Sequence, residues 1–104
     1  MTTIQITEAE RVLMEALWRS GPLTAAELMA AVKAVEPWAE PTIKTLLHRL
    51  MQRQAIRSDR SVVPLRYLPL LNREAYVAQQ VDDLVKRLFE GDRIALAAYL
   101  ADKS

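Results

Sequence analysis

The chain has 104 residues, 51% of them hydrophobic, with two glycines, five prolines and no cysteine. That supports one real but modest core, argues against intrinsic disorder, and excludes disulfides, thiolate metal sites and cysteine nucleophiles. The net charge of +1 hides an asymmetry: residues 1–40 carry six acids and three bases (−3), residues 41–73 one acid and seven bases (+6), residues 74–104 six acids and four bases (−2). A basic middle third is the electrostatic footprint expected of a nucleic-acid site.

The first ten residues, MTTIQITEAE, hold neither a basic n-region nor an apolar h-region, so no signal peptide is expected. Thr7-Glu8-Ala9-Glu10 reads as a capping box, with Thr7 at N-cap and Glu10 three residues into the turn. Ala9, Val12, Leu13, Ala16 and Leu17 then recur at helical spacing until Gly21-Pro22 stops the helix. A second capping box, Thr24-Ala25-Ala26-Glu27, opens a helix expected to bury Leu28, Val32 and Val35 and to end before Pro37.

The stretch PTIKTLLHRLMQRQAI, Pro41 to Ile56, predicts a third helix with Ile43, Leu46, Leu47, Leu50 and Met51 on the core stripe. At about 100° per residue its opposite side carries Thr45, His48 and Gln52, flanked by Thr42, Arg49 and Arg53, with no acid among them. Its start lacks a favoured N-cap, since Ala39 and Glu40 precede it. Beyond Ile56 the helical period is lost. Two short strands are expected at about 56–60 and 65–69, joined by a loop without the glycine of a tight hairpin turn. Asn72 then caps a long helix that ends at Gly91, and Asp92 starts a short one through Leu100. The longest apolar run, Ile94 to Leu100, is too short to span a bilayer. A cytoplasmic protein without membrane insertion is the expectation.

Three compact helices followed by a basic hairpin make a winged helix-turn-helix, so the fold class is mainly α: three helices plus a β-hairpin wing, then C-terminal dimerisation helices. Residues 1–70 are expected to form the DNA-binding domain and residues 71–104 the helical dimerisation region. In this architecture the second helix of the pair lies in the major groove of double-stranded DNA. Thr45, His48 and Gln52 are the candidates for base edges, and Lys44, Arg49 and Arg53 at the rim are candidates for phosphate. Arg57, Arg60 and Arg66 on the hairpin add a second phosphate set. The dimerisation candidates are Val77, Val81, Leu84, Val85 and Leu88 on one stripe, Tyr76 and Phe89 beside it, and Ile94, Leu96 and Leu100 beyond. Trp18 and Trp38 are expected to pack between helices. His48 is the single histidine, which makes no metal site, and no cofactor or catalytic motif is recognisable, so an enzyme is not expected. A winged helix serving only as a protein-interaction module is the competing reading.

The strings ITEAERVLMEALWRSGPLTAAEL, TIKTLLHRLMQRQAI, RYLPL and YVAQQVDDLVKRLFEGDRIAL resemble the penicillinase-repressor and methicillin-resistance-repressor family from about Ile6 to Leu100. The resemblance implies a dimeric winged-helix repressor on a palindromic operator, with Thr42, Lys44, Thr45 and Arg49 reading DNA and residues 72–102 pairing the chains. It also implies a membrane metalloprotease sensor as a partner that cuts the C-terminal region. The asparagine–phenylalanine pair cut in the resistance repressors falls here at Tyr99-Leu100, and the Trp-Ser-Pro-Lys usual before the third helix is Trp38-Ala39-Glu40-Pro41. Copper-responsive relatives use C-terminal cysteines, which this chain lacks.

Overall fold

A computed structural model describes residues 4–103. Its order is α1 (Glu8–Ser20), β1 (Leu23–Thr24), α2 (Ala25–Lys33), α3 (Glu40–Gln52), β2 (Ile56–Asp59), β3 (Arg66–Pro69), α4 (Arg73–Leu88) and α5 (Arg93–Lys103). The chain divides after Leu71 into two compact units.

In the first unit both expected capping boxes form. The Thr7 hydroxyl accepts the Glu10 N–H at 3.1 Å while Glu10 Oε1 accepts the Thr7 N–H at 2.8 Å. Thr24 and Glu27 repeat the exchange at 3.2 and 2.9 Å. Each box satisfies N–H groups that a helix start leaves without partners. Gly21 terminates α1 at φ 77°, in the left-handed region that costs a residue with a Cβ, and its N–H closes on Leu17 C=O at 2.8 Å. α3 starts at Ala39 without a side-chain cap, and Pro41 in its first turn tolerates the missing N–H.

Three helix stripes meet in one core. α1 contributes Leu13, Met14 and Leu17, α2 Leu28 and Val32, and α3 Ile43, Leu46, Leu47 and Leu50, with Ala55 and Ile56 closing it. Each fully buried leucine or isoleucine stabilises by about 1.5–3 kcal/mol relative to exposure, so the stripes rather than propensity hold the short helices. Met51, Trp18 and Trp38 are partly buried against this core. The Trp18 indole N–H donates to Leu71 C=O at 2.8 Å, tying α1 to the end of the sheet segment.

Val35 departs from expectation. α2 ends at Lys33, so Val35 falls past the helix and is 64% exposed instead of continuing the buried stripe. The hairpin strands run Ile56–Asp59 and Arg66–Pro69, paired antiparallel with Ile56 opposite Pro69 and Asp59 opposite Arg66. β1 is an addition: Leu23 pairs with Tyr67 and Thr24 with Arg66, giving a three-stranded sheet in the order β1-β3-β2. The hairpin, marginal by itself, is thereby joined along one edge to the segment that starts α2.

In the second unit Asn72 Oδ1 accepts the Ala75 N–H at 3.1 Å, capping α4. Glu90 at φ 53° and Gly91 at φ 82° turn the chain, and the Gly91 N–H returns to Val85 C=O at 3.0 Å. Asp92 Oδ1 accepts from Ile94 and Ala95 at 2.9 and 3.2 Å and so caps α5, which runs on to Lys103. An Arg93–Asp82 ion pair and a tilted Phe89–Tyr99 ring contact, centroids 6.0 Å apart, join the two helices. Among the expected dimerisation residues, Tyr76 and Val85 are buried within the single chain: a periodic stripe shows which residues lie together, not what covers them. Val77, Leu88, Ile94 and Leu100 are exposed, as is Tyr99, while Val81, Leu84, Phe89 and Leu96 are half-buried. Among the described residues no helix is long and apolar enough to cross a membrane.

Candidate nucleic-acid interface

The helical period that sends Ile43, Leu46, Leu47 and Leu50 into the core sends Thr42, Lys44, Thr45, His48, Arg49 and Gln52 outward. All of these are exposed, and so are Arg53 and the hairpin residues Arg57, Arg60 and Arg66. From Pro41 to Gln52 no carboxylate interrupts this face. Glu40, in the first turn of α3, pairs with Lys44 at 3.3 Å across an exposed i, i+4 step, a weak contact that leaves the ammonium available to a stronger anion.

Two of the expected contacts have internal partners. The Thr45 hydroxyl donates to Pro41 C=O at 3.0 Å, which leaves its methyl group and an oxygen lone pair outward. Arg53 Nη1 pairs with the buried carboxylate of Glu10 and also donates to Gln5 C=O at 3.2 Å. Arg53, expected at phosphate, thus has internal partners at one end of its guanidinium while its side chain stays 43% exposed; the sequence had no local signal for a partner 43 residues away.

Strand register builds the wing. Arg57 lies opposite Leu68 and Asp59 opposite Arg66, so Arg57, Asp59 and Arg66 share one face of the hairpin. At its tip the Asp59 carboxylate accepts the Ser61 hydroxyl at 2.6 Å and the Ser61 N–H at 3.0 Å. These two hydrogen bonds, hydroxyl first, hold the Asp59 carboxyl below its usual range, with a smaller pull from Arg57. The acid therefore stays ionised and orders the turn that carries Arg60. Glu27 is likewise held low by the N–H and hydroxyl of Thr24, with a smaller contribution from Arg66.

A hollow of about 530 Å³ lies beside the outward face, lined by Ala25, Met29, Leu47 and Met51 with Lys44, His48, Gln52 and Tyr67. Its apolar residues from α2 and β3 were not singled out from the sequence, because only the fold brings them to the rim of α3. Among the described residues no group of three His, Cys, Asp or Glu side chains is placed to hold a metal ion.

An outward helix face without acids, followed directly by an arginine-bearing wing, defines a winged helix-turn-helix module of the DNA-binding class. Comparison with known proteins makes the assignment specific. The sequence profile described as "Penicillinase repressor" matches residues 6–104, and the chain belongs to that family. It is similar to the penicillinase repressor of Bacillus licheniformis, 23% identical over 87 residues that span 84% of this chain and 68% of that protein. It is also similar to the transcriptional regulator BlaI of Mycobacterium tuberculosis (strain CDC 1551 / Oshkosh), 29% identical over 101 residues, 95% of this chain and 73% of that protein. Among solved structures, the solution structure of monomeric B. licheniformis BlaI in complex with the blaP half-operator superposes with a TM-score of 0.64. The match has 25% sequence identity and covers 71% of this chain and 92% of that one.

Proposed function

We propose that the protein is a transcriptional repressor that binds a palindromic DNA operator as a homodimer. The observation that carries the reading is the acid-free exposed face of α3 joined to the basic wing; family membership and the similar BlaI–half-operator complex support it. Gln52 and His48 are assigned to base edges, with the Thr45 methyl group offered to a thymine methyl. Lys44, Arg49, Arg57, Arg60 and Arg66 are assigned to phosphates, which fix register without reading sequence. Pairing is assigned to residues 72–104, where Val77, Leu88, Ile94 and Leu100 leave apolar surface exposed. One winged helix covers a half-site, and two on a two-fold axis read half-sites spaced by about 10 bp or a multiple of it. Family membership further suggests release by a membrane metalloprotease sensor acting on the C-terminal region, where Tyr99 and Leu100 are exposed.

The decisive experiment is a titration of the full chain against a duplex taken from upstream of its own gene and against a random duplex of equal length. Tighter, salt-sensitive binding to the upstream duplex is expected. Equal or salt-indifferent binding refutes sequence-specific repression through this face.

A further inference from the structure

The two capping boxes of the first unit do the same local work, yet their glutamates sit in opposite surroundings. Glu27 is exposed, whereas Glu10 has no exposed surface at all. Helix capping therefore does not explain why Glu10 is buried. A carboxylate removed from water is tolerated only with a charged partner and hydrogen bonds. Glu10 Oε1 takes the Thr7 N–H and the Nη1 of Arg53, while Oε2 has no hydrogen-bond partner among the described residues. Among the described residues its charge balance thus rests on one guanidinium.

That guanidinium is placed at a mechanical junction. Arg53 is the C-cap of α3, followed by Gln54 at φ 59° and the fully buried Ala55, so the chain reverses immediately beyond it. The same Nη1 that meets Glu10 also holds Gln5 C=O, in the segment leading into α1. One side chain therefore ties the end of the outward-facing helix to the first turn of α1 and to the segment before it. Base readout depends on donor–acceptor distances within a few tenths of an ångström, while long phosphate-binding side chains adapt to small displacements.

We propose that Glu10 and Arg53 form an internal latch that fixes the position of α3, making Arg53 a positioning residue for sequence recognition instead of a phosphate contact. The proposal rests on the DNA-binding reading above. Glu10 cannot touch DNA, and deleting an acid would, on charge alone, favour binding to any duplex. Hence Glu10→Gln separates the two roles. In the full chain, Glu10→Gln and Arg53→Gln should each lower discrimination between the upstream and random duplexes by about tenfold, the scale of one good base contact. The double variant should lose little more than either single one, because both break one unit. The slope of log K against log salt should stay at the native value in all three. A slope smaller by about 0.9 per protomer in Arg53→Gln, with Glu10→Gln discriminating like the native chain, overturns the proposal.

Because these variants can unfold, the native protein supplies a second measurement. The ¹⁵N–¹H guanidinium resonances of Arg53 should be resolved without DNA and unmoved by either duplex. Resonances that become ordered only on adding DNA overturn the latch. A native chain that binds neither duplex sinks the DNA reading alone, since the resonances of the free protein still report on the pair.

Discussion

Salt dependence tests the assignment of cations most directly, and its size follows from the side chains that remain free to meet phosphate. With Arg53 assigned to the proposed latch with Glu10, the phosphate set is Lys44, Arg49, Arg57, Arg60 and Arg66. Each phosphate neutralised adds about −0.9 to the slope of log K against log salt, so five contacts give about −4.5 per protomer and about −9 for a dimer. Raising salt from about 50 to about 200 mM should then weaken one bound protomer by about 500-fold and a dimer far more. Arg57→Ala is the cleanest perturbation, since Arg57 is exposed on a strand whose register is held by backbone pairs. It should flatten the slope by about 0.9 per protomer and weaken upstream and random duplexes alike. Fluorescence anisotropy at several salt concentrations measures both quantities. An unchanged slope removes the wing from the phosphate set, and a native slope near zero refutes the electrostatic reading of the whole face.

Gln52→Ala should cost about 1–3 kcal/mol of preference for the upstream duplex over random DNA, measured by competition, because an amide matched to a base edge is lost. Thr45→Val should bind like the native chain, since the threonine hydroxyl is already used on Pro41 and valine keeps the methyl group; a large loss would show that the hydroxyl reaches DNA. Glu27 and Asp59 have folded pKa values below their ordinary 4.5 and 3.8, so the stability they contribute is complete above those values and lost as pH falls through the lowered ones. Thermal melts should therefore decline below about pH 4.5, and Thr24→Ala, which removes a partner of Glu27, should reduce that decline. Leu88→Glu changes a side chain that is 63% exposed in the single chain, so the fold should survive while a carboxylate at the seam separates the protomers. Light scattering should show a monomer with native helical circular dichroism, and an intact dimer would move the seam away from Leu88.

What the sequence made legible was what is local. Capping boxes at Thr7 and Thr24 span four residues each, and the stripe of α3 repeats every turn, so helix starts and buried faces could be read from spacing alone. β1 escaped because it is only two residues, Leu23 after a proline and Thr24, itself the N-cap of α2, which carry no alternation; its strand character comes entirely from pairing with Tyr67 and Arg66. Val35 was misjudged because helical spacing is informative only while the helix lasts, and α2 stops two residues earlier. Val85 lies on the same stripe as Leu88 and Tyr76 lies beside it, yet Val85 and Tyr76 are covered by the chain and Leu88 is not. Glu10 and Arg53 show the limit most clearly. The local duty of Glu10, closing a turn on Thr7, was visible in four letters; its burial, and the inward capture of Arg53, depend on a contact that only the packed helices create. Counting basic residues on a helix face therefore overestimates the phosphate set wherever one of them balances a buried acid. The latch proposed for Arg53 makes it such a case, which is why the expected slope is built from five cations.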